Sequence, residues 1–302
     1  MLRFGIDVGG TKIEIRALDG EGNEAYRQRI ATPQSSYKDT VAAIAGLVRT
    51  AEAALGQAGT VGIATPGAVS FKTGLIKNAN STCLNGQPLV TDLQAELHRE
   101  IRIENDANCF ALSEATDGAA ANANGGHAIV FAVILGTGVG GGIAVNGKIL
   151  TGRNGIGGEW GHNPLPWPQP EELPGNTCYC GRVGCIETWL SGPGLARHFQ
   201  QHSNRSLSAA EIAKQAMRGD LACEQAMRQY EDRLARALAS IINVIDPDVI
   251  VLGGGLSNIA RLYENVPRQW AKYVFSDQVD TRLVPPRFGD SSGVRGAAWL
   301  WD

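Results

Sequence analysis

Two stretches of this chain share one design: an apolar strand, a glycine turn, and a second apolar strand. Leu2 to Leu18 passes through Phe4-Gly5-Ile6-Asp7-Val8, turns at Gly9-Gly10-Thr11, and returns as Lys12-Ile13-Glu14-Ile15-Arg16. Ala128 to Val145 repeats it, with Ile129 to Leu135, then Gly136-Thr137-Gly138, then Gly140-Gly141-Gly142-Ile143-Ala144-Val145. A glycine-tipped hairpin presents bare backbone N–H groups, which wrap phosphate oxygens. Asp7 at a strand end suits a contact to Mg²⁺ through water, and Lys12 adds positive charge nearby. A single hairpin of this kind is also read as a plain turn. Two in one chain suggest duplicated halves that grip phosphates from opposite sides.

The segments between and after the hairpins alternate helix and strand. Thr40 to Leu55 carries Val41, Ile44, Val48, Ala51 and Leu55 at helical spacing. Val61 to Ala64 reads as a buried strand ending in the turn Thr65-Pro66-Gly67. The polar loop Asn78-Ala79-Asn80-Ser81-Thr82 follows, and amide side chains suit hydroxyl-rich ligands. Ile101 to Ile103 reads as a strand and Ala107 to Ala121 as a helix, so Glu104-Asn105-Asp106 stands where a strand enters a helix. From pattern alone Asp106 is a helix N-cap. Leu221 to Ile245 is a long helix with Leu234, Leu238, Ile241 and Ile242 on one face. The strand Val249 to Leu252 then opens into the loop Gly253-Gly254-Gly255, and Ser291 to Leu300 reads as a closing helix.

Gly158 to Glu187 carries metal chemistry. His162 and three cysteines, Cys178, Cys180 and Cys185, supply a Cys₃His set, which completes a tetrahedral Zn²⁺ shell with no open position. Such a metal is structural. Gly181 and Gly184 allow the tight turns that aim three sulfurs at one ion. The rival reading, a disulfide plus a spare thiol, suffers from the strain of bridging C-Y-C.

Composition bounds the rest. With 302 residues, 43% of them hydrophobic and 19% charged, a soluble protein of one large or two modest domains is expected. The net charge of -3 and the lack of a Lys/Arg block argue against nucleic acid or an acidic membrane surface as a partner. No apolar run is long enough for a bilayer, and the opening MLRFGIDVGG has no apolar leader, so a cytoplasmic protein is expected. Six cysteines in a reducing compartment point to metal or free thiols, with Cys83, Cys109 and Cys223 as ordinary small residues.

The run C-Y-C-G-R-V-G-C-I-E, preceded by G-E-W-G-H, resembles the ROK family of sugar kinases and repressors. Cys178, Cys180, Gly181, Gly184, Cys185 and Glu187 match in order, as do Glu159, Gly161 and His162. The resemblance implies a two-lobed α/β fold of the actin-like and hexokinase-like ATPases (ribonuclease H-like) with a zinc-braced loop. It sets a small lobe over residues 1–110 with the helix at 291–302, and a large lobe over 111–290. It implies ATP with Mg²⁺, and a free hexose as acceptor. Asp106 would be the general base, at a helix N-terminus that favours negative charge. Asn80, Asn105, Glu159, His162 and Glu187 would bind the sugar, with the Thr65 to Gly67 turn lining that side. Asp7, Gly9, Gly10, Thr11, Lys12, Gly136, Thr137 and Gly138 would hold the nucleotide phosphates, and Gly253, Gly254 and Gly255 would pack on the adenosine. Lobe closure would exclude water.

The stretches N-A-N-S-T-C-L-N-G-Q-P and G-D-S-S-G-V-R-G-A-A-W-L-W are most similar to the fructokinase branch, so D-fructose is the expected acceptor. Mannose, glucose and N-acetylglucosamine stay open. Two departures stand out. The gap from His162 to Cys178 is long, so a larger loop must bulge there, and Cys83 stands where some relatives carry Trp. A sugar-responsive repressor would need a helix-turn-helix ahead of the hairpin that begins at residue 2, and an actin-like structural ATPase has no use for the cysteine motif. Family members are commonly dimers, so a homodimer is expected.

Overall fold

The computed structural model describes residues 1–33, 36–79 and 81–301. The chain divides into two compact units. The first comprises Met1–Ala121, Gly142–Gly157 and Asp290–Asp302, the second Asn122–Gly141 and Gly158–Gly289. The first unit opens with β1 (Leu2–Val8), β2 (Lys12–Leu18), β3 (Glu24–Ala31), α1 (Tyr37–Leu55) and β4 (Gly59–Thr65). The short β5 (Ala68–Val69) and β6 (Ile76–Lys77), α2 (Leu89–Leu97), β7 (Ile101–Asn105) and α3 (Asp106–Thr116) follow. β8 (Ile129–Leu135) and β9 (Val139–Val145) come next, and β10 (Lys148–Ile149) pairs antiparallel with the end of β9. The second unit continues with α4 (Glu187–Leu190), α5 (Gly192–Ser203), α6 (Ala209–Met217), α7 (Leu221–Ile245), β11 (Val249–Gly253), α8 (Leu262–Trp270) and β12 (Arg282–Val284). α9 (Ser292–Ala298) belongs to the first unit.

The sheet of the first unit has the order β3-β2-β1-β4-β7. The β1–β2 and β2–β3 pairs are antiparallel, and β1–β4 and β4–β7 are parallel. Alternate residues of a strand face opposite sides. Phe4, Ile6 and Val8 of β1 therefore join Ile44, Leu47 and Val48 of α1 in one buried core. The other side takes α9 at a separation that leaves no room for a side chain. A β-carbon on Gly5 would lie 2.0 Å from the Val294 carbonyl, and one on Gly62 would lie 1.8 Å from that of Ala297. These paired strand glycines exist so that a helix backbone can lie directly on the sheet.

The other sheet, of order β10-β9-β8-β11-β12, restates the scheme, with β9–β10 antiparallel and β8–β11 and β11–β12 parallel. Each sheet thus contains a glycine-tipped hairpin whose first strand pairs in parallel with a later strand, and the two-lobed α/β arrangement is present. α7 buries Met227, Tyr230, Leu234 and Leu238. It runs from Leu221 to Ile245 as its spacing predicts, ending at Asp246 in the left-handed region (φ 43°).

One expectation is corrected. The helix expected over 107–121 stops at Thr116, because the Asp117 and Gly118 N–H groups both return to the Ser113 carbonyl, at 3.0 and 2.9 Å. The buried Glu114 carboxylate then accepts from the Ala119 N–H at 2.7 Å, which fixes the turn. α3 lies wholly within the first compact unit, together with residues 142–157. Among the described residues no helix is long and apolar enough to cross a membrane.

Candidate functional site

In the first unit the β1–β2 turn is closed by the Gly9 N–H donating to the Lys12 carbonyl at 2.9 Å. Thr32, just past β3, braces it from outside. Its hydroxyl donates to the Gly9 carbonyl at 2.6 Å and its N–H to the Thr11 carbonyl at 3.1 Å. Gly10 and Thr11 are exposed at the tip. Asp7 lies at the end of β1 in a cross-strand row with Glu14 and Arg29. Burial first, then the Asp106 and Glu14 carboxylates, push Asp7 up to about 7, against the opposing pull of Lys12 and Arg29. The structure therefore brings Asp7 and Asp106 together as a pair of like charges, an arrangement that a bound cation relieves.

Asp106 is the first residue of α3, and Asn105 caps the helix. The Asn105 Oδ1 and the Asp106 Oδ1 both accept from the Ala107 N–H, at 2.9 and 2.8 Å. The capping role that pattern alone gives to Asp106 thus belongs to its neighbour. Asn105 also donates through Nδ2 to the Gly67 carbonyl at 3.1 Å, which ties the Thr65 to Gly67 turn to this junction. Asn80 lies outside the described residues.

In the second unit the turn at Gly136, Thr137 and Gly138 ends with the Val139 N–H donating to the Glu187 Oε2 at 3.0 Å. A β-carbon on Gly138 would come within 2.7 Å of that oxygen. Glu187 is therefore committed to the hairpin tip, and its Oε1 accepts from the Cys178 thiol at 3.7 Å. Gly254 (φ 77°) packs on the Leu135 backbone, 2.5 Å from its carbonyl to an added β-carbon. This sets the run Gly253 to Gly255 beside the base of the same turn. Gly253 is the last residue of β11 and not part of the loop.

His162, Cys178, Cys180 and Cys185 converge, with one donor atom from each lying within 4.8 Å of all the others. The Cys178 Sγ stands 3.6 Å from His162 Nδ1, and the Cys180 and Cys185 sulfurs stand 3.6 Å apart with no disulfide. A tetrahedron with Zn–S arms of about 2.3 Å has edges near 3.8 Å, so the donor set and its spacing fit zinc. Gly181 (φ 87°) and Gly184 (φ 76°) make the turns between the sulfurs. Burial raises the thiols of Cys178 and Cys185, the latter to about 12, while the Arg182 N–H lowers that of Cys180. His162 turns Nε2 to the exposed Tyr179 hydroxyl at 3.1 Å, a partner the motif did not reveal. Glu159 is exposed, one residue ahead of the short helical turn Trp160–His162.

The Pro-rich insertion between His162 and Cys178 is anchored by one buried carboxylate. Glu172 Oε1 accepts from Arg233 Nε and Arg236 Nη2, both at 2.7 Å, and Oε2 accepts from Arg236 Nη1 at 2.9 Å. The three residues are 5%, 2% and 1% exposed. Arg236 also donates to the Pro166 and Trp167 carbonyls, and Trp167 stacks on Tyr273 at 5.4 Å. The bulging loop is thus fastened to α7. Glu172→Ala leaves two guanidinium groups buried without their carboxylate and is expected to cost about 3–5 kcal/mol, read as a lower urea midpoint at unchanged m-value. A loss under about 1 kcal/mol would make the anchor incidental.

A family model described as the ROK family matches residues 3–302. The N-acetyl-D-glucosamine kinase of Salmonella gallinarum is 39% identical over 301 residues, covering 98% of each chain. That of Pectobacterium atrosepticum is 38% identical over the same span. Among solved structures, a ROK hexokinase from Thermus thermophilus superposes with a TM-score of 0.86 at 30% identity, over 100% of this chain and 99% of that one. A ROK family glucokinase from Streptomyces griseus, in complex with glucose and AMPPNP, gives 0.78 at 27% identity over 99% of both.

Proposed function

Because the chain belongs to the ROK family, we propose that it is an ATP-dependent sugar kinase whose acceptor is N-acetyl-D-glucosamine. The carboxylate pair Asp7 and Asp106 beside a glycine turn carries the reaction type. Phosphoryl transfer asks little covalent work of the protein and much positioning and charge neutralisation. The turns at Gly9–Lys12 and Gly136–Gly138 offer backbone donors to phosphate oxygens, and Asp7 would help hold the Mg²⁺ that accompanies ATP. Asp106 takes the proton from the attacking sugar hydroxyl, and Asn105 orients that sugar. His162, Cys178, Cys180 and Cys185 would hold a structural zinc, which fixes the loop carrying Glu159 for a sugar contact. Glu187, tied to the Val139 N–H, joins that loop to the turn at Gly138.

Similarity over 98% of both chains favours N-acetyl-D-glucosamine over the D-fructose expected from the sequence. A coupled ADP assay with N-acetyl-D-glucosamine, glucose, mannose and fructose tests this. The expected result is a kcat/KM for N-acetyl-D-glucosamine at least about tenfold above the others, since one well-paired polar group is worth about that much. A preference for fructose would return the acceptor to the earlier expectation and leave the kinase reading intact.

A further inference from the structure

We infer that Ser81 donates a hydrogen bond to the phosphoryl group that ATP transfers. The inference rests on the kinase reading above and adds a residue to it. Ser81 follows the polar loop at Asn78 and precedes the short helical turn Thr82–Leu84. At that position a serine ordinarily caps the turn through its side chain. This one does not. The turn is closed by backbone alone, with the Leu84 N–H donating to the Ser81 carbonyl at 3.0 Å, and the side chain makes no cap bond.

The Ser81 hydroxyl oxygen is buried and has no hydrogen-bond partner among the described residues. An unpaired buried hydroxyl costs stability, and a native chain that keeps one uses it for something the unliganded protein does not contain. Its location says what. A β-carbon built on Gly10 would stand 3.8 Å from Ser81 Oγ. The hydroxyl therefore lies beside the Gly10 tip of the glycine turn. Thr32 orients that tip. By drawing the Gly9 carbonyl toward itself at 2.6 Å, it turns the following N–H, antiparallel across a trans peptide, to the opposite side. Ser81 thus brings the polar stretch expected to serve the sugar up to the turn expected to serve the phosphates. The phosphate oxygen nearest the sugar belongs to the group in transfer. A neutral hydroxyl donating to an anionic oxygen there strengthens as the charge on that oxygen grows.

The test is Ser81→Ala beside Ser81→Thr. In Ser81→Ala, kcat/KM for MgATP is expected to fall roughly 10- to 100-fold, with the KM of the sugar within about threefold and the melting temperature equal to or above wild type. Ser81→Thr, which keeps the hydroxyl, recovers most of the loss. Calorimetry on the same proteins reads the contact without turnover. AMPPNP affinity drops about tenfold in Ser81→Ala while ADP affinity holds. Unchanged AMPPNP binding overturns the inference. So does a loss confined to the sugar KM, or one accompanied by a lower melting temperature. Absence of sugar phosphorylation by the wild type would sink the kinase reading, and the AMPPNP and ADP titrations would still decide the role of Ser81.

Discussion

Replacing Asp106 with Asn is expected to lower kcat by about 10²- to 10⁴-fold while leaving the protein folded. Asn is isosteric, and its amide oxygen can still accept from the Ala107 N–H as the Asp106 Oδ1 does at 2.8 Å. The helix cap is not at risk, because Asn105 supplies it. What disappears is the group able to take a proton. Removing one negative charge also relieves Asp7, which Asp106 helps to push up to about 7, so the variant is expected to melt no lower than wild type. The pairing of lost turnover with retained stability separates a base from a structural carboxylate. Steady-state rates and thermal melts of the same preparation measure both. Turnover within tenfold of wild type would take Asp106 out of the reaction.

Removal of the metal is expected to be nearly as costly to the sugar side. Purified reduced protein should carry about one zinc per chain by elemental analysis, the stoichiometry that a Cys₃His set dictates. Cys185→Ser, at a buried position, should abolish that binding. Sulfurs 3.6 Å apart that keep their protons do not hold one another, so the loop from His162 to Cys185 should loosen. Exposed Arg182 then becomes a trypsin site, and the sugar KM rises by tenfold or more, on the order expected for a lost metal support. MgATP binding should change little. Zinc-free protein with normal sugar KM and intact resistance at Arg182 would show that the cysteines serve something else.

How much of this could be read from residues alone depended on locality. The hairpins, the cysteine–histidine set and the strand-to-helix junction at Asp106 are each written within about thirty consecutive positions, and each was legible. Features assembled from distant positions were not. Glu172 meets Arg233 and Arg236 from 61 and 64 residues away, and nothing in a Pro-rich loop marks one glutamate among its acidic residues as the anchor. Thr32 braces the β1–β2 glycine turn from 23 residues beyond Gly9, and its only visible signal was a place at a strand end. The division of labour between Asn105 and Asp106 was missed for a different reason. Adjacent residues with similar side chains both suit a cap, and only coordinates choose between them.

The seat of α9 on Gly5 and Gly62 has a bearing on biosynthesis. Residues 292–298 are translated after all of the second unit, yet they pack directly on Gly5 and Gly62 of strands made early. All of the second unit is translated before the earlier one can be completed. Until α9 emerges, the glycine-lined flank of β1 and β4 lacks its covering helix, so the nascent chain must carry an unfinished first sheet through the synthesis of the second unit.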